Sequence, residues 1–223
     1  MLFQPHYVRD YRRMVRVLMR NHPVEDAMAR AVGGDYEIVG RHQVDLFRAH
    51  GLRDCDYLVD VGCGSGRTAY ALRTIAALGY HGIDVVPELL AYAEQKVARP
   101  DWKFSLVEGL SIPEPDARVD MVAMFSVLTH LSPAEGPRYL ADAARVLKPG
   151  GKIIASFLDS SLEMHRAVAG RWINQVINRW RAESVKNVLL DRGQLSQCAA
   201  SLGLRVEFFG PERIGQSYFV LKK

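Results

Sequence analysis

Apolar residues recur every three to four positions over residues 6–21. Tyr7, Tyr11, Met14 and Leu18, with Val15 and Met19 beside them, alternate there with Arg9, Arg12, Arg13 and Arg16. That spacing predicts an amphipathic helix, serving either as a cap over a binding cleft or as ordinary packing on the main domain. His22-Pro23 breaks the pattern. A second helix is predicted over Val24–Val32, stopping at Gly33-Gly34, and a third over Tyr36–His50, capped by Asp35 and ended by Gly51. From residue 57 the period changes. Short apolar runs at Tyr57–Val61, Tyr80–Ile83, Trp102–Glu108, Val119–Phe125 and Lys152–Leu158 predict strands. Helical stretches alternate with them at Arg67–Ala77, Glu88–Ala98 (opened by Pro87) and Pro133–Val146. Asp191 can cap a helix running to Leu202, and Leu204–Phe209 and Ser217–Leu221 read as a sixth and a seventh strand. The alternation predicts an α/β fold with a parallel sheet and helices on both faces. The last two strands, close in sequence, predict an antiparallel edge.

A length of 223 residues suits a single domain. Its expected parts are a helical cap (1–51), a strand-helix core (52–159), an insert of lid helices (160–192) and a C-terminal helix with strands (193–223). The insert carries Leu162, His165, Arg166, Trp172, Ile173, Val176, Ile177 and Trp180 at helical spacing. It reads as a substrate wall together with the N-terminal helix, or as helical core packing.

Composition narrows the class. The chain is 48% hydrophobic and 24% charged, as ordinary globular proteins are. Lys and Arg number 29 against 25 Asp and Glu, a net +4, with a pI near 9.0. The arginines concentrated in the first 20 positions read as a solvated helix face in preference to a nucleic-acid surface. No run approaches the ~18 apolar residues of a membrane span, and the N-terminus lacks the layout of a secretory signal. No nucleic-acid or membrane partner is therefore indicated. Three cysteines, an odd number without a CxxC pair, suggest neither a disulfide framework nor a zinc site. A reducing, cytoplasmic setting fits. No His/Cys/Asp/Glu cluster has ligand spacing, so no metal is expected.

The chemistry centres on Leu58-Val59-Asp60-Val61-Gly62-Cys63-Gly64-Ser65-Gly66-Arg67. This is a strand that turns through three glycines into a helix, where a flat ligand can lie against bare backbone. The dinucleotide fingerprint G-x-G-x-x-G would place its third glycine at position 67, which is Arg67. No GK[ST] phosphate loop occurs. Cys63 reads as a small residue beside the ligand in preference to a reactive thiol. Asp84 ends the second strand, 22 residues past Gly62. A carboxylate there can accept both hydroxyls of a ribose, or it can cap the following helix.

The segment 58–67 resembles the first motif of the class I S-adenosylmethionine-dependent methyltransferases, of the small-molecule type. Gly82-Ile83-Asp84-Val85 resembles their second motif. Residues 120–131, from Asp120 to Leu131, resemble the fourth-strand motif, and Ala144–Gly151 the segment before strand five. The resemblance covers about residues 56–158. It implies a three-layer α/β sandwich around a seven-stranded sheet, order 3-2-1-4-5-7-6, with strand 7 antiparallel. It also implies S-adenosylmethionine as cofactor and S-adenosylhomocysteine as product. In that seat Asp84, with Val85 beside it, would bind the ribose hydroxyls, and Asp60 and Gly62 would lie near the methionine amino group, with Cys63, Gly64 and Gly66 lining the turn. Glu108 stands where relatives place an acidic residue against the adenine amino group, and the backbone of Gly109 and Leu110 can serve instead. The segment from Tyr36 to His42 resembles the helix before motif one, with Arg41 able to pair with the methionine carboxylate or to lie on a solvated helix face.

Methyl transfer from a sulfonium requires alignment and water exclusion, and a base only if the acceptor must lose a proton. Phe125, Ser126 and His130 follow the fourth strand, where ligands gather at the carboxyl ends of a parallel sheet. His130 is the base candidate, unless it only packs or caps before Ser132-Pro133. The expected function is methyl transfer to an oxygen or nitrogen of a small-molecule acceptor. An RNA or protein methyltransferase and a non-catalytic S-adenosylmethionine-binding protein are the alternatives. An [ND]-P-P-[YF] strip is absent, its place reading Phe125-Ser126-Val127-Leu128. Arg67 argues against an NAD-dependent oxidoreductase.

Overall fold

A computed structural model describes residues 5–169, 187–211 and 215–223. The chain divides into two compact units, Met1–Gly109 and Leu110–Lys223.

In the first unit three helices precede the strands: α1 (His6–Asn21), α2 (Val24–Val32) and α3 (Tyr36–Ala49). The apolar stripe of α1 buries Tyr7, Val8, Met14, Val15 and Leu18. Asp35 caps α3 by accepting from the Ile38 amide at 2.8 Å. Strands β1 (Tyr57–Val61), β2 (Gly79–Asp84) and β3 (Lys103–Leu106) are parallel, with β2 between the other two. Leu58, Val59 and Val61 are fully buried, as a strand covered on both faces requires. Tyr80 stacks on Trp102, ring centroids 4.7 Å apart, and the Trp102 indole donates to the Leu78 carbonyl at 2.8 Å.

Helix α4 (Arg67–Leu72) follows β1 and α5 (Pro87–Val97) follows β2. The periodicity predicts a helix to Ala77, but α4 ends five residues earlier. The Arg99 guanidinium collects the carbonyls of Arg73 at 2.7 Å, Ile75 at 3.1 Å and Ala76 at 3.2 Å, drawing them out of helical register.

In the second unit β4 (Val119–Met124) and β5 (Leu147–Asp159) pair in parallel. Helix α6 (Glu135–Val146) lies between them in sequence and α7 (Arg192–Ser201) follows β5. Strands β7 (Arg205–Pro211) and β8 (Ser217–Lys222) form the antiparallel C-terminal pair, with β8 against β5. The fold is thus α/β, mostly parallel with one antiparallel part. The expected orders 3-2-1 and 4-5-7-6 each hold inside one unit.

Two details differ from expectation. Among the described residues there are eight strands, because β6 (Leu189–Leu190) adds a parallel pairing to the end of β5. Two residues are too short to register as an apolar run. Strand β5 also begins at Leu147, not Lys152. The Lys148–Gly151 turn is drawn onto the ladder by Gly150 and Lys223, whose bonds to Lys223 and Gly151 are both 3.0 Å. The ladder register shifts there between Val119 and Met121. The insert tryptophans Trp172 and Trp180, with Ile173, Val176 and Ile177, lie outside the described residues.

Candidate functional site

The glycine turn is built by contacts that leave no room for side chains. Gly66 has φ +81°, and a Cβ there would meet the Ala93 Cβ of α5 at 2.7 Å. A Cβ on Gly64 (φ +57°) would collide with Val32 Cγ1 of α2. The turn is locked to β2 because the Gly62 and Cys63 amides both donate to the Ile83 carbonyl, at 2.8 and 3.1 Å. The Tyr36 hydroxyl donates to the Ser65 carbonyl at 2.7 Å, and the Ser65 hydroxyl to the Met28 carbonyl at 3.1 Å, so α2 and α3 are both fastened to the turn.

Asp84 sits buried at the end of β2. Its Oδ2 accepts from the Gly64 amide and its Oδ1 from the Val86 amide, each at 2.9 Å. Those two bonds fix the carboxylate plane and leave lone pairs on both oxygens. Asp84 does not cap α5, whose N-cap is Val86 with no side-chain bond. Burial pushes its carboxyl above the ordinary range, opposed by the amides of Val86, Gly64 and Val85 and by the Arg12 guanidinium. Asp60 is also buried, and burial pushes it up to about 7. The Tyr80 hydroxyl, donating to Asp60 Oδ2 at 2.7 Å, and the charge of Arg67 hold it down, while Asp84 raises it. Two desolvated carboxylates in one seat favour a ligand that brings donors and positive charge.

Helix α1 closes one side. Arg12 donates through Nε to the Val85 carbonyl at 2.7 Å and through a terminal nitrogen to Glu108 at 2.9 Å. Glu108 itself is 63% exposed. Gly109 has open space where a Cβ would stand, and Leu110 is half-buried. Burial raises the Tyr11 hydroxyl pKa, as does the charge of Asp84. Cys63 is buried, and burial pushes its thiol well above the ordinary value, which keeps it unreactive. Arg41 is 67% exposed and lies 4.0 Å from Glu37 one turn earlier, on the solvated face of α3.

In the second unit, Phe125 is buried just past β4, and Ser126 adopts φ +57°. A closed ring holds that left-handed backbone. The Ser126 amide donates to Ser156 Oγ at 2.7 Å, the Ser156 hydroxyl to Gln216 Oε1 at 2.6 Å, and Gln216 Nε2 to Ser126 Oγ at 2.9 Å. His130 ends a 3-10 turn, Leu128–His130, and is half-buried. His165 is buried and accepts through Nδ1 from the Asp159 amide at 2.8 Å, which puts its proton on Nε2. Arg166 is exposed and donates to the Ser160 carbonyl at 2.8 Å. Among the described residues, no group of His, Cys, Asp and Glu has the geometry to hold a metal ion.

Residues 58–151, the stretch that contains the glycine turn, Asp84 and Ser126, match the family model described as a methyltransferase domain. Over these residues the chain carries a methyltransferase domain. The demethylmenaquinone methyltransferase of Tropheryma whipplei (strain Twist) is 36% identical over 107 residues, covering 47% of this chain and 42% of that protein. The ubiquinone biosynthesis O-methyltransferase of Xylella fastidiosa (strain M23) is 34% identical over 112 residues, 47% of this chain and 43% of that one. The chain thus spans less than half the length of these two curated relatives. The magnesium protoporphyrin IX methyltransferase of Synechocystis PCC 6803, solved with bound S-adenosylhomocysteine, shares the fold. Its TM-score is 0.66 at 16% identity, over 93% of this chain and 99% of that one.

The seat of this methyltransferase domain includes residues that sequence reasoning missed. Arg12, Tyr11 and Tyr80 reach it from α1 and from the interior of β2. Arg12 falls in a run of arginines that pattern alone assigns to solvent. Tyr80 reads as one more apolar strand position. In the second unit, and apart from that seat, Ser156 and Gln216 carry no motif and meet Ser126 through the pairing of β4, β5 and β8.

Proposed function

We propose that the chain transfers the methyl group of S-adenosylmethionine to an oxygen or nitrogen of a small-molecule acceptor, in the cytoplasm. The observation that carries this reading is the pose of Asp84. Two backbone amides hold its carboxylate beside a turn that admits no side chain at Gly64 or Gly66, which suits the two hydroxyls of a ribose lying on bare backbone. The cofactor fits the donor set: Asp84 with Val85 for the ribose, Asp60 and Gly62 for the ammonium group, and Cys63, Gly64 and Gly66 as a floor. Glu108, Gly109 and Leu110 are the adenine contacts of this reading, Tyr36 braces the turn, and Arg41 is assigned to the methionine carboxylate by resemblance alone. When bound, the cofactor supplies an already activated methyl on a cationic sulfur. The protein's task is to orient the acceptor and exclude water. Phe125 and Ser126 line the carboxyl end of β4 for this purpose, and His130 takes the acceptor's proton where one must leave. The two curated relatives, named for demethylmenaquinone and for ubiquinone biosynthesis, support a small-molecule acceptor.

Titration calorimetry with S-adenosylmethionine, S-adenosylhomocysteine and NAD tests the reading. The two adenosyl compounds are expected to bind with Kd in the micromolar range, on the order of −8 kcal/mol, and NAD not to bind. Binding of NAD alone overturns it. Binding of the adenosyl compounds without turnover across a broad acceptor panel favours a non-catalytic binding protein.

A further inference from the structure

The structure turns the arginines of α1 into a surface. Arg9, Arg13, Arg16 and Arg20 follow one another at intervals of four, three and four residues. Residues three and four apart share a helix face, so the four form a single row about 16 Å long at 1.5 Å per residue. All four are exposed. The opposite face is buried through Tyr7, Val8, Met14, Val15 and Leu18, which fixes the row outward. The local partners are few. Arg9 pairs with Asp10 at 3.2 Å, and Arg16 donates to the Arg12 carbonyl at 3.0 Å. Arg13 and Arg20 make no ion pair among the described residues. Asp10 is the one acidic residue of the helix.

Beside the row, two apolar side chains face solvent. Met19, between Arg16 and Arg20, is 39% exposed, and Val24, at the start of α2, is 50% exposed. The apolar face of α1 is taken up by the protein, so the row itself is what a membrane would meet, and clusters of four or more basic residues on an amphipathic helix are attracted to anionic lipid surfaces. Guanidinium groups match the phosphates of anionic headgroups. A single-stranded nucleic acid calls in addition for aromatic side chains on which bases stack, and among the described residues no aromatic is exposed on α1; a duplex is left to the experiment below.

We propose that the outer face of α1 docks on an anionic lipid bilayer surface. Arg12, on the same helix, holds Val85 and Glu108, so docking would bring the helix that braces the cofactor seat to the membrane. An acceptor dissolved in lipid would suit an enzyme held there. That purpose rests on the methyltransferase reading, whereas the docking itself does not.

The experiment is co-sedimentation of the full chain with phosphatidylglycerol–phosphatidylcholine vesicles and with phosphatidylcholine vesicles. A variant carrying Arg13→Glu, Arg16→Glu and Arg20→Glu together is compared, and S-adenosylhomocysteine calorimetry on both proteins reports the fold and the seat. Each basic residue near an anionic surface raises partitioning roughly fivefold, so three removed charges should lower binding about a hundredfold or more. We expect binding to the anionic vesicles only, its loss at about 1 M salt, where the Debye length is about 3 Å, and its loss in the variant with S-adenosylhomocysteine affinity unchanged. Equal binding to both vesicle types, no binding to either, or retention by duplex RNA or DNA in place of the vesicles overturns the proposal. Because docking and S-adenosylhomocysteine binding are measured separately, failure of one leaves the other standing.

Discussion

Replacing Asp84 with asparagine is expected to weaken S-adenosylhomocysteine and 5′-methylthioadenosine together, each by about ten- to a hundredfold. The two ligands share the adenosine, and only the first carries the amino-acid arm. The substitution has two effects. A carboxylate offers an acceptor on both oxygens, and both are already aligned by the Gly64 and Val86 amides at 2.9 Å. An amide in the same place sets an NH2 against one of those N–H groups. It thereby strands a buried donor, a cost of about 1–3 kcal/mol that falls on the fold with or without ligand. It also removes one charge-assisted acceptor for a ribose hydroxyl, about 1.5–3 kcal/mol, and this is the loss of affinity. Calorimetry with both ligands checks this. If S-adenosylhomocysteine weakens while methylthioadenosine does not, Asp84 serves some other part of the ligand and the adenosyl seat must be redrawn.

The strand-helix alternation was readable because a buried parallel strand is an uninterrupted apolar run, and the motifs that matter lie at its ends. Asp60, Gly62 and Asp84 could therefore be placed from sequence, since strand ends fix where the following residues must go. What resisted reading depends on side-chain reach across distant segments. Arg99 ends α4 from 26 residues away from Arg73. Arg12 meets Val85 and Glu108, 73 and 96 residues along the chain. Gln216 closes a ring with Ser126, 90 residues away. None of these has a local period, because the partner comes from the pairing of strands or the docking of a helix. For Arg41 the resembling segment suggests a ligand contact, and on α3 the side chain is 67% exposed beside Glu37. The arginine row of α1 was visible as composition. Only the buried stripe beneath it shows that four of those arginines stand on one outward face.

Asp60→Asn is expected to separate binding from stability. The carboxyl of Asp60 is raised from 3.8 to about 7 by burial. A carboxyl whose pKa is higher in the folded chain contributes stability below its unfolded value and loses that contribution as pH rises through the folded value. At pH 8 the folded protein therefore bears the cost of a buried anion. Asparagine keeps an oxygen for the Tyr80 hydroxyl at 2.7 Å and carries no charge. The variant should melt several degrees higher at pH 8, on a scale of about 2–4 °C per kcal/mol for a chain of this size. The difference should widen from about pH 4 towards pH 7 and stay constant above. Binding should move the other way. An ammonium group beside Asp60 favours its ionised form, so the bound carboxyl titrates lower than the free one. In the wild type, S-adenosylhomocysteine affinity should be flat above about pH 7 and fall by up to tenfold per unit below it. In Asp60→Asn it should be weaker throughout and lose that slope, while methylthioadenosine, which has no ammonium group, should bind both proteins alike. Differential scanning calorimetry and ligand titrations from pH 5 to about pH 8, the span over which this group changes charge, decide the matter. Equal losses for both ligands, or an unchanged pH slope in the variant, would show that Asp60 does not face the amino group, leaving its desolvation as a property of the core alone.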